Sequence, residues 1–208
     1  MYTYHKIQTV FLRDPETNHK TLLHGQYAWP EFEYLQNDKW VFTEKVDGTN
    51  IRITYRKQNG IRFSGKTDRA QIPSFLCDAL HDLFKFAKFN EVFDSDICLY
   101  GEGYGPKIQK GGGNYRRTPS FVLFDVLISG LWLQRKDVED VAAKLGIDVV
   151  PVIGVGTLPE MVSIVNQGTT SVWGDFTAEG IVARPKIELQ TRAGERIITK
   201  IKHRDFRK

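Results

Sequence analysis

Apolar and polar residues alternate over several short stretches of the chain, a pattern typical of β-strands. Runs rich in Val, Ile, Phe, Tyr and Thr predict strands at about 7–12, 40–46, 51–56, 61–65, 97–101, 121–127, 149–153, 180–183 and 196–202. Asn59-Gly60 lies between two of these runs and readily adopts the positive φ angles of a tight turn. We therefore expect 51–56 and 61–65 to pair as an antiparallel hairpin.

Helical periodicity is confined to three segments. The first follows Pro73, the second follows Asp137 and ends at Gly146, and the third starts near Thr157 and ends at Gly168. The apolar positions of the first segment are Leu76, Leu80, Leu83, Phe84 and Ala87. Because predicted strands outnumber helices about three to one, the sequence predicts an α+β fold with largely antiparallel sheets.

Composition favours one domain over residues 1–208, since 41% hydrophobic residues can supply a sizeable core. The longest apolar stretch, 147–155, is far shorter than a membrane span, and residues 1–20 contain no continuous apolar segment of a secretory signal. Cys77 and Cys98 have no spacing typical of a disulfide framework or a zinc site. We expect no membrane association and a cytoplasmic location.

The formal net charge of +4 is only a weak indication of an anionic partner. Two basic segments are more informative: 107–117 carries Lys and Arg without an acid, and 196–208 carries a single acid, Asp205. The glycine-rich segment 107–117, with Tyr115, could hold a nucleic-acid strand or be a solvated loop.

The segment Glu44-Lys45-Val46-Asp47-Gly48-Thr49-Asn50 places a lysine where a strand enters a glycine turn. Lys45 could be a solvated side chain beside a turn, or a nucleophile. At pH 7 only about one lysine in 2,500 carries the neutral amine. Nearby cations or partial desolvation would favour that form. Lys200 and Lys202 could supply the cations because they share one face of the last predicted strand, which could otherwise be merely amphipathic.

Two glutamates and a phenylalanine lie at or near strand ends. Glu102 stands within Tyr100-Gly101-Glu102-Gly103-Tyr104-Gly105, and Glu179 precedes the strand 180–183. Both could be surface carboxylates, or together they could hold a divalent metal and a ribose. Phe124 could be a core residue or a surface on which a base stacks.

Taken in order, these segments resemble the collinear motifs of the covalent nucleotidyltransferases, the superfamily of DNA ligases, RNA ligases and capping enzymes. The matching segments are Lys45-x-Asp47-Gly48, Tyr100-Gly-Glu102, Phe121-Val-Leu-Phe124-Asp125, Glu179-Gly180-Ile-Val and Lys200-x-Lys202. Thr49-Asn50, 65–71 and 101–105 resemble the RNA ligase 2 type of RNA ligase domain. This resemblance implies an ATP-grasp-like nucleotidyltransferase domain with largely antiparallel sheets flanked by helices.

The resemblance also implies a role for each matched residue. Lys45 would attack the α-phosphate of ATP and carry AMP, with Lys200 and Lys202 contacting that phosphate. The other implied contacts are Glu44 with the adenine edge, Asn50 with the ribose or phosphate, Glu102 with the ribose, Phe124 with the adenine face and Glu179 with Mg²⁺ or Mn²⁺. Where the family has an arginine this sequence has Lys66, with Arg69 three residues later, so either could contact the phosphate.

Only six residues follow Lys202, so we expect no C-terminal oligonucleotide-binding-fold domain, unless the chain is a fragment of a longer protein. The function implied is an ATP-dependent RNA ligase acting in RNA repair on 5′-phosphate and 3′-hydroxyl ends, at a nick or on single strands. A minimal DNA ligase, a capping-type guanylyltransferase and a non-catalytic nucleic-acid-binding module are the alternatives. The sequence leaves open whether DNA is also a substrate and whether an accessory protein takes part. It also leaves open the oligomeric state and the host, which could be a virus.

Overall fold

A computed structural model describes residues 3–207. The chain folds into two compact units. The first unit contains residues 3–4 and Val46–Val150, and the second contains residues 5–45 and 151–207. The expectation of one domain over 1–208 stays a prediction.

The strands and helices of the chain are as follows. The strands are β1 (Gln8–Thr9), β2 (Phe11–Arg13), β3 (Leu22–Tyr27), β4 (Trp40–Lys45), β5 (Thr49–Arg56), β6 (Gly60–Ser64), β7 (Ile97–Tyr104), β8 (Ser120–Ile128), β9 (Leu131–Trp132), β10 (Asp148–Val149), β11 (Val152–Gly156), β12 (Gly180–Pro185) and β13 (Thr199–Lys202). The helices are α1 (Pro30–Tyr34), α2 (Ser74–Leu83), α3 (Phe86–Val92), α4 (Gly112–Tyr115), α5 (Arg135–Leu145) and α6 (Leu158–Gln167).

The first unit is built on one sheet in the order β10-β8-β7-β5-β6, with β9 pairing β8. Its pairs are antiparallel except β10 with β8. The predicted hairpin is confirmed: β5 pairs antiparallel with β6, and Gly60 has a φ of 81°. Alternation on β5 turns Ile51, Ile53 and Tyr55 into the core, where residues of α2, α3 and α5 are also buried.

The first predicted helix is divided into α2 and α3. Phe84 between them has φ −111° and ψ 98°, which is extended backbone. Its ring lies edge-on to Phe121, with the ring centroids 5.3 Å apart. The second and third predicted helices are confirmed as α5 and α6. Gly146 ends α5 with a φ of 69°, and Thr157 begins α6 in a reciprocal capping box with Glu160.

The second unit contains a sheet in the order β1-β13-β12-β4-β11. The pairs are antiparallel except β1 with β13. Its core joins Trp40 and Phe42 of β4 to Leu158 and Met161 of α6. The predicted strand 149–153 was wrong as one element, because Val150 and Pro151 separate β10, in the first unit, from β11. Pro151 has no amide hydrogen for a ladder, although its carbonyl accepts the Glu44 N–H at 3.1 Å.

The prediction of an α+β fold with mostly antiparallel sheets is confirmed. The sequence did not predict β3, β9, α1 or α4, and the predicted strand 7–12 is divided into β1 and β2. Within residues 3–207, no helix has both the length and the apolar character needed to cross a membrane.

Candidate active site

In the second unit, the pairing of three strands places three lysines of the predicted site on one face of the sheet. Gly180 of β12 lies opposite Lys45 of β4 and also opposite Lys202 of β13. Val182, two residues on, lies opposite Lys200. Residues directly opposite each other share a face of a sheet, so all three lysines lie on one face.

Glu179 bridges Lys45 and Lys202. Its Oε2 lies 2.6 Å from Nζ of Lys45 and its Oε1 lies 2.7 Å from Nζ of Lys202. The three side chains are 13–18% exposed. Two ammonium groups therefore share one largely buried carboxylate, with one oxygen for each.

The environment favours the ionised form of Glu179. Burial alone would raise the pKa of its carboxyl group, but the charge of Lys45 and the hydrogen bonds from Lys202 and Lys45 outweigh burial and hold the pKa below its usual value. Glu179 is therefore an anion at neutral pH.

Gly180 allows β12 and β13 to pair closely beside these charges. A Cβ atom at this position would clash with the carbonyl oxygen of Ile201 and lie 2.8 Å from Cα of Lys202. Ile201 and Thr199 point to the opposite face, where both are fully buried. The alternation predicted for this strand is thus observed.

Glu44 faces away from Lys45, as neighbours on a strand must. It is 2% exposed and accepts hydrogen bonds from Ser171 Oγ at 2.6 Å and from the amide of Val172 at 3.0 Å. Its side chain fixes the segment before β12, and its backbone lies in the β4 ladder with the N–H bonded to Pro151, so the predicted contact of Glu44 with adenine stays a prediction.

In the first unit, the turn after Val46 is fixed to the glycine-rich segment 107–117. Asp47 Oδ2 accepts a hydrogen bond from the amide of Gly111 at 3.0 Å, and the amide of Asp47 donates to the hydroxyl of Tyr115 at 3.2 Å. Tyr115 is 6% exposed and its ring lies edge-on to Tyr104. Its ring is therefore not a free surface for stacking a base.

Asn50 and Glu102 are directly opposite each other on β5 and β7. Asn50 Oδ1 is buried and makes no hydrogen bond to any described residue. A buried acceptor without a partner is uncommon in proteins, and a ligand hydroxyl would satisfy it. Gly48 lies close to this pair, because a Cβ atom there would lie 2.6 Å from Cγ of Glu102.

Phe124 belongs to an aromatic group on β8 and β7. A β-bulge between β7 and β8 allows Tyr4 to contact two consecutive residues of β8. The Tyr4 ring lies edge-on to Phe124 at 5.2 Å, and its hydroxyl donates to Asp125 Oδ2 at 2.6 Å. Phe124 is half-buried and Tyr100 is fully buried.

Lys66 and Arg69 are both exposed in the segment after β6. Their positions therefore do not indicate which of the two side chains contacts phosphate.

Arg52 of β5 was not identified from the sequence. It is 5% exposed, forms an ion pair with Asp68 and lines a cavity of about 480 Å³ with Arg56 and Arg62. The alternation of Arg52, Thr54 and Arg56 with buried residues of β5 was the available signal.

The structure thus brings the predicted residues together in two groups. Lys45, Glu179, Lys200 and Lys202 lie together in the second unit, and Asn50 and Glu102 form a pair in the first. Within residues 3–207 there is no group of three or more His, Cys, Asp or Glu side chains that could hold a metal ion. The roles of these residues stay predictions.

Lys45, at the end of a strand, is linked to a second lysine by the carboxylate that pairs with both. Such an arrangement, in a fold of antiparallel sheets, is suited to binding phosphates. The sequence profile of the RNA ligase family matches residues 38–202. The chain belongs to this family, which confirms the resemblance drawn from its motifs. A comparison with curated protein sequences found no match.

Solved structures of Naegleria gruberi RNA ligase share the fold. A variant of that enzyme with ATP and Mn has a TM-score of 0.70 and 17% identity, over 97% of this chain and 56% of that one. A second variant with ATP and Mn has a TM-score of 0.65 and 19% identity, over 85% and 54%. The enzyme with PPi gives 0.64 and 19%, over 83% and 52%. The chain therefore spans about half the length of these ligases.

Proposed function

We propose that the protein is an ATP-dependent RNA ligase that joins an RNA 5′-phosphate to a 3′-hydroxyl through AMP carried on Lys45. The observation that carries this proposal is the bridge from Lys45 through Glu179 to Lys202, because it holds the predicted nucleophile beside a second cation to which we assign phosphate binding. Membership of the RNA ligase family supports it. So does the shared fold with a ligase that has been solved with ATP, Mn and PPi.

In the first step, Nζ of Lys45 attacks the α-phosphorus of ATP. A phosphorus–nitrogen bond forms while the bond to the β-phosphate oxygen breaks, and pyrophosphate leaves with the electron pair. The ion pair with Glu179 stabilises the ammonium form of Lys45, so it must loosen before the amine can give up its proton to water. Phosphate oxygens that bind Lys202 would compete with Glu179 for that lysine and would begin to weaken the ion pair between Glu179 and Lys45.

In the second step, an oxygen of the RNA 5′-phosphate attacks the phosphorus of AMP, the phosphorus–nitrogen bond breaks and Lys45 is reprotonated. In the third, the 3′-hydroxyl attacks the 5′-phosphorus, loses its proton and displaces AMP. Lys200 and Lys202 neutralise charge on the phosphates in these steps, because they lie on the same sheet face as Lys45.

Glu179 is the residue that would hold a divalent ion. It is a single carboxylate rather than one of a cluster, and this suits Mg²⁺ or Mn²⁺ bound by one or two carboxylates together with substrate phosphates. Such an ion supplies charge neutralisation on the triphosphate when bound. The carboxylate would first have to release at least one lysine.

Asn50, Glu102 and Phe124 are the residues that the family resemblance assigns to the nucleoside of ATP. The unpaired Oδ1 of Asn50 could accept a hydrogen bond from a ribose hydroxyl beside Glu102, and half-buried Phe124 could stack on adenine. Lys66→Ala and Arg69→Ala, assayed separately, would show which side chain contacts phosphate. The variant with the larger loss of adenylylation identifies that residue.

Incubation with α-labelled ATP and Mg²⁺ tests the proposed nucleophile. We expect the wild-type chain to be labelled and Lys45→Ala to be unlabelled. Lys39→Ala is the matched control, since Lys39 is an exposed lysine just before the same strand. Labelling that persists in Lys45→Ala would refute the assignment, and preferential labelling by GTP would favour a capping-type guanylyltransferase.

A sealing panel tests the polynucleotide. Matched RNA nicks, DNA nicks and single strands with 5′-phosphate and 3′-hydroxyl ends are incubated with the purified chain, ATP and Mg²⁺. We expect RNA to be sealed in preference to DNA. Adenylylated 5′ ends that accumulate without sealing would indicate that a further domain or an accessory protein completes the enzyme.

A further inference from the structure

A groove on the second unit continues away from the predicted phosphate-binding lysines. Lys200 and Lys202 line one part of it, and the rest is lined by residues within 6–13, by residues on either side of β3 (Lys20 and Trp29 among them) and by the turn after β13. Its volume is about 950 Å³. We name it the N-terminal groove and define it by its cations, which are Lys6, Arg13, Lys20, Lys200, Lys202 and Arg204.

We infer that the N-terminal groove binds a single-stranded stretch of the RNA substrate through its phosphates. This inference rests on the proposed function, because it assigns the surface by which the ligase would hold its polynucleotide. The groove includes the lysines predicted to contact the reacting phosphate, so a strand lying in it would have one phosphate at Lys200 and Lys202.

The charge of the groove is almost entirely positive. Asp205 is the acid among its lining residues, and its carboxylate is already used: it pairs with Arg13 at 2.9 Å and accepts the amide of Lys202 at 3.1 Å. Lys6, Lys20 and Arg204 are exposed and form no ion pair with any residue in 3–207. Cations that no carboxylate neutralises are the groups that polynucleotide phosphates attract.

Aromatic side chains also line the groove. Trp29 is half-buried on its wall, and its ring stacks on Phe32 with centroids 5.2 Å apart and planes 22° apart. A rigidly held ring beside a row of cations is the combination that binds single strands, since bases stack on the ring while cations follow the backbone. In a duplex the bases are already stacked, so the groove should prefer a single strand.

The location and size of the groove distinguish it from a site for the triphosphate of ATP alone. The RNA ligase profile matches residues 38–202, whereas Lys6, Arg13, Lys20 and Arg204 lie outside that range. A volume of about 950 Å³ lies near the upper end of the range for whole small-molecule sites, and it exceeds what a pyrophosphate group would fill.

The test is the salt dependence of binding to a short single-stranded RNA with a 5′-phosphate and a 3′ fluorophore. The triple variant Lys6→Ala, Lys20→Ala, Arg204→Ala removes exposed cations that the proposed chemistry does not use. We expect a lower affinity, and a plot of log affinity against log salt that is less steep by about 2, since each single-strand phosphate contact contributes about 0.7. Self-adenylylation with ATP should be unchanged.

Lys39→Ala, Lys186→Ala, Arg192→Ala is the matched control, because it removes the same charge from exposed positions of the second unit outside the groove. An equal loss of slope in the control would refute the groove as the binding surface. Unlabelled duplex that competes as well as single strand would refute the preference for single strands.

Self-adenylylation separates the two proposals. If the wild type labels with ATP but the groove variant binds RNA with unchanged affinity and slope, the groove assignment is wrong and the ligase proposal stands. If the groove variant binds RNA normally but needs more ATP, the groove serves the triphosphate and the inference is overturned. A wild-type chain that never labels refutes the proposed function itself.

Discussion

Glu179 Oε2 accepts a hydrogen bond from Nζ of Lys45 at 2.6 Å, although the two residues are 134 positions apart. The pairing of β12 with β4 brings them together, because it places Gly180 directly opposite Lys45 and leaves Glu179 at the strand entrance. In this state the lysine is held as an ion pair. In the proposed reaction, the carboxylate that positions the amine would also restrain its reactivity until a competing anion binds.

The first prediction concerns the stability that this bridge supplies. Because the pKa of Glu179 in the folded chain lies below its unfolded value of about 4.3, the stabilisation is complete above that pH and is lost as pH falls through the folded-state pKa. Glu179→Gln should lower the free energy of unfolding by about 1–3 kcal/mol at pH 7. Urea unfolding at pH 7, 5, 4 and 3 should show the difference shrinking only at the lowest values.

Glu195→Gln is the control for this series, since Glu195 is exposed and its carboxylate forms no ion pair with any residue between 3 and 207. Its stability should follow the wild type at every pH. A difference between wild type and Glu179→Gln that is the same at pH 7 and pH 3 would show that the charge of Glu179 does not supply the stability.

The second prediction concerns Gly180. The added methyl group of Gly180→Ala would clash with the backbone of β13, so we expect a loss of about 1–3 kcal/mol and weaker adenylylation as Lys202 shifts. Gly154→Ala is the matched control in the same sheet, because its nearest contact would be an ordinary 3.7 Å to Phe42. Thermal melting of both variants is the measurement, and equal melting temperatures would contradict the clash.

Much of the fold could be predicted because its signals are local. The alternation on β5 and β13, the Asn59-Gly60 turn and the glycine after α5 each depend on neighbouring residues alone. The helix α1, which was missed, has only five residues and depends on distant contacts. Phe32 of α1 is buried in the core that also holds Trp40 and Leu158, so tertiary packing rather than periodicity supports this helix.

The sequence indicated which residues belong to the candidate site but not which of their side chains contact each other. Motif order indicated Lys45, Glu179 and Lys202, yet their spacing does not show that one carboxylate lies between the two amines. The sequence suggested cations crowding Lys45, whereas the structure places an anion against it. Strand order decides this, because β12 lies between β4 and β13, and no local pattern encodes strand order.

The third prediction concerns the link between Asp47 and the segment 107–117. Asp47→Ala removes the acceptor of the Gly111 amide, and a hydrogen bond to a charged group contributes about 1.5–3 kcal/mol. The segment should therefore open at least about tenfold more often, which limited trypsin digestion would detect as faster cleavage after Lys107 and Lys110. Asp47→Asn keeps an acceptor oxygen without the charge and should be cleaved at a rate between those of the wild type and Asp47→Ala. Equal rates for all three proteins would show that the bond does not restrain the segment.

The fourth prediction concerns Phe124 as a stacking surface for adenine. Phe124→Ala should raise the KM for ATP in self-adenylylation about fivefold or more, because stacking of a base on an aromatic ring contributes about 1–3 kcal/mol. The rate at saturating ATP should change little, since the ring would bind the base equally in the ground and transition states. Phe124→Tyr keeps the ring and should keep a KM near that of the wild type.

Tyr4 already covers one edge of Phe124, so a general loosening of the aromatic group is the competing explanation for an effect of Phe124→Ala. Loosening would lower the saturated rate and the melting temperature together while leaving the KM unchanged, and that combination would remove Phe124 from the nucleotide site.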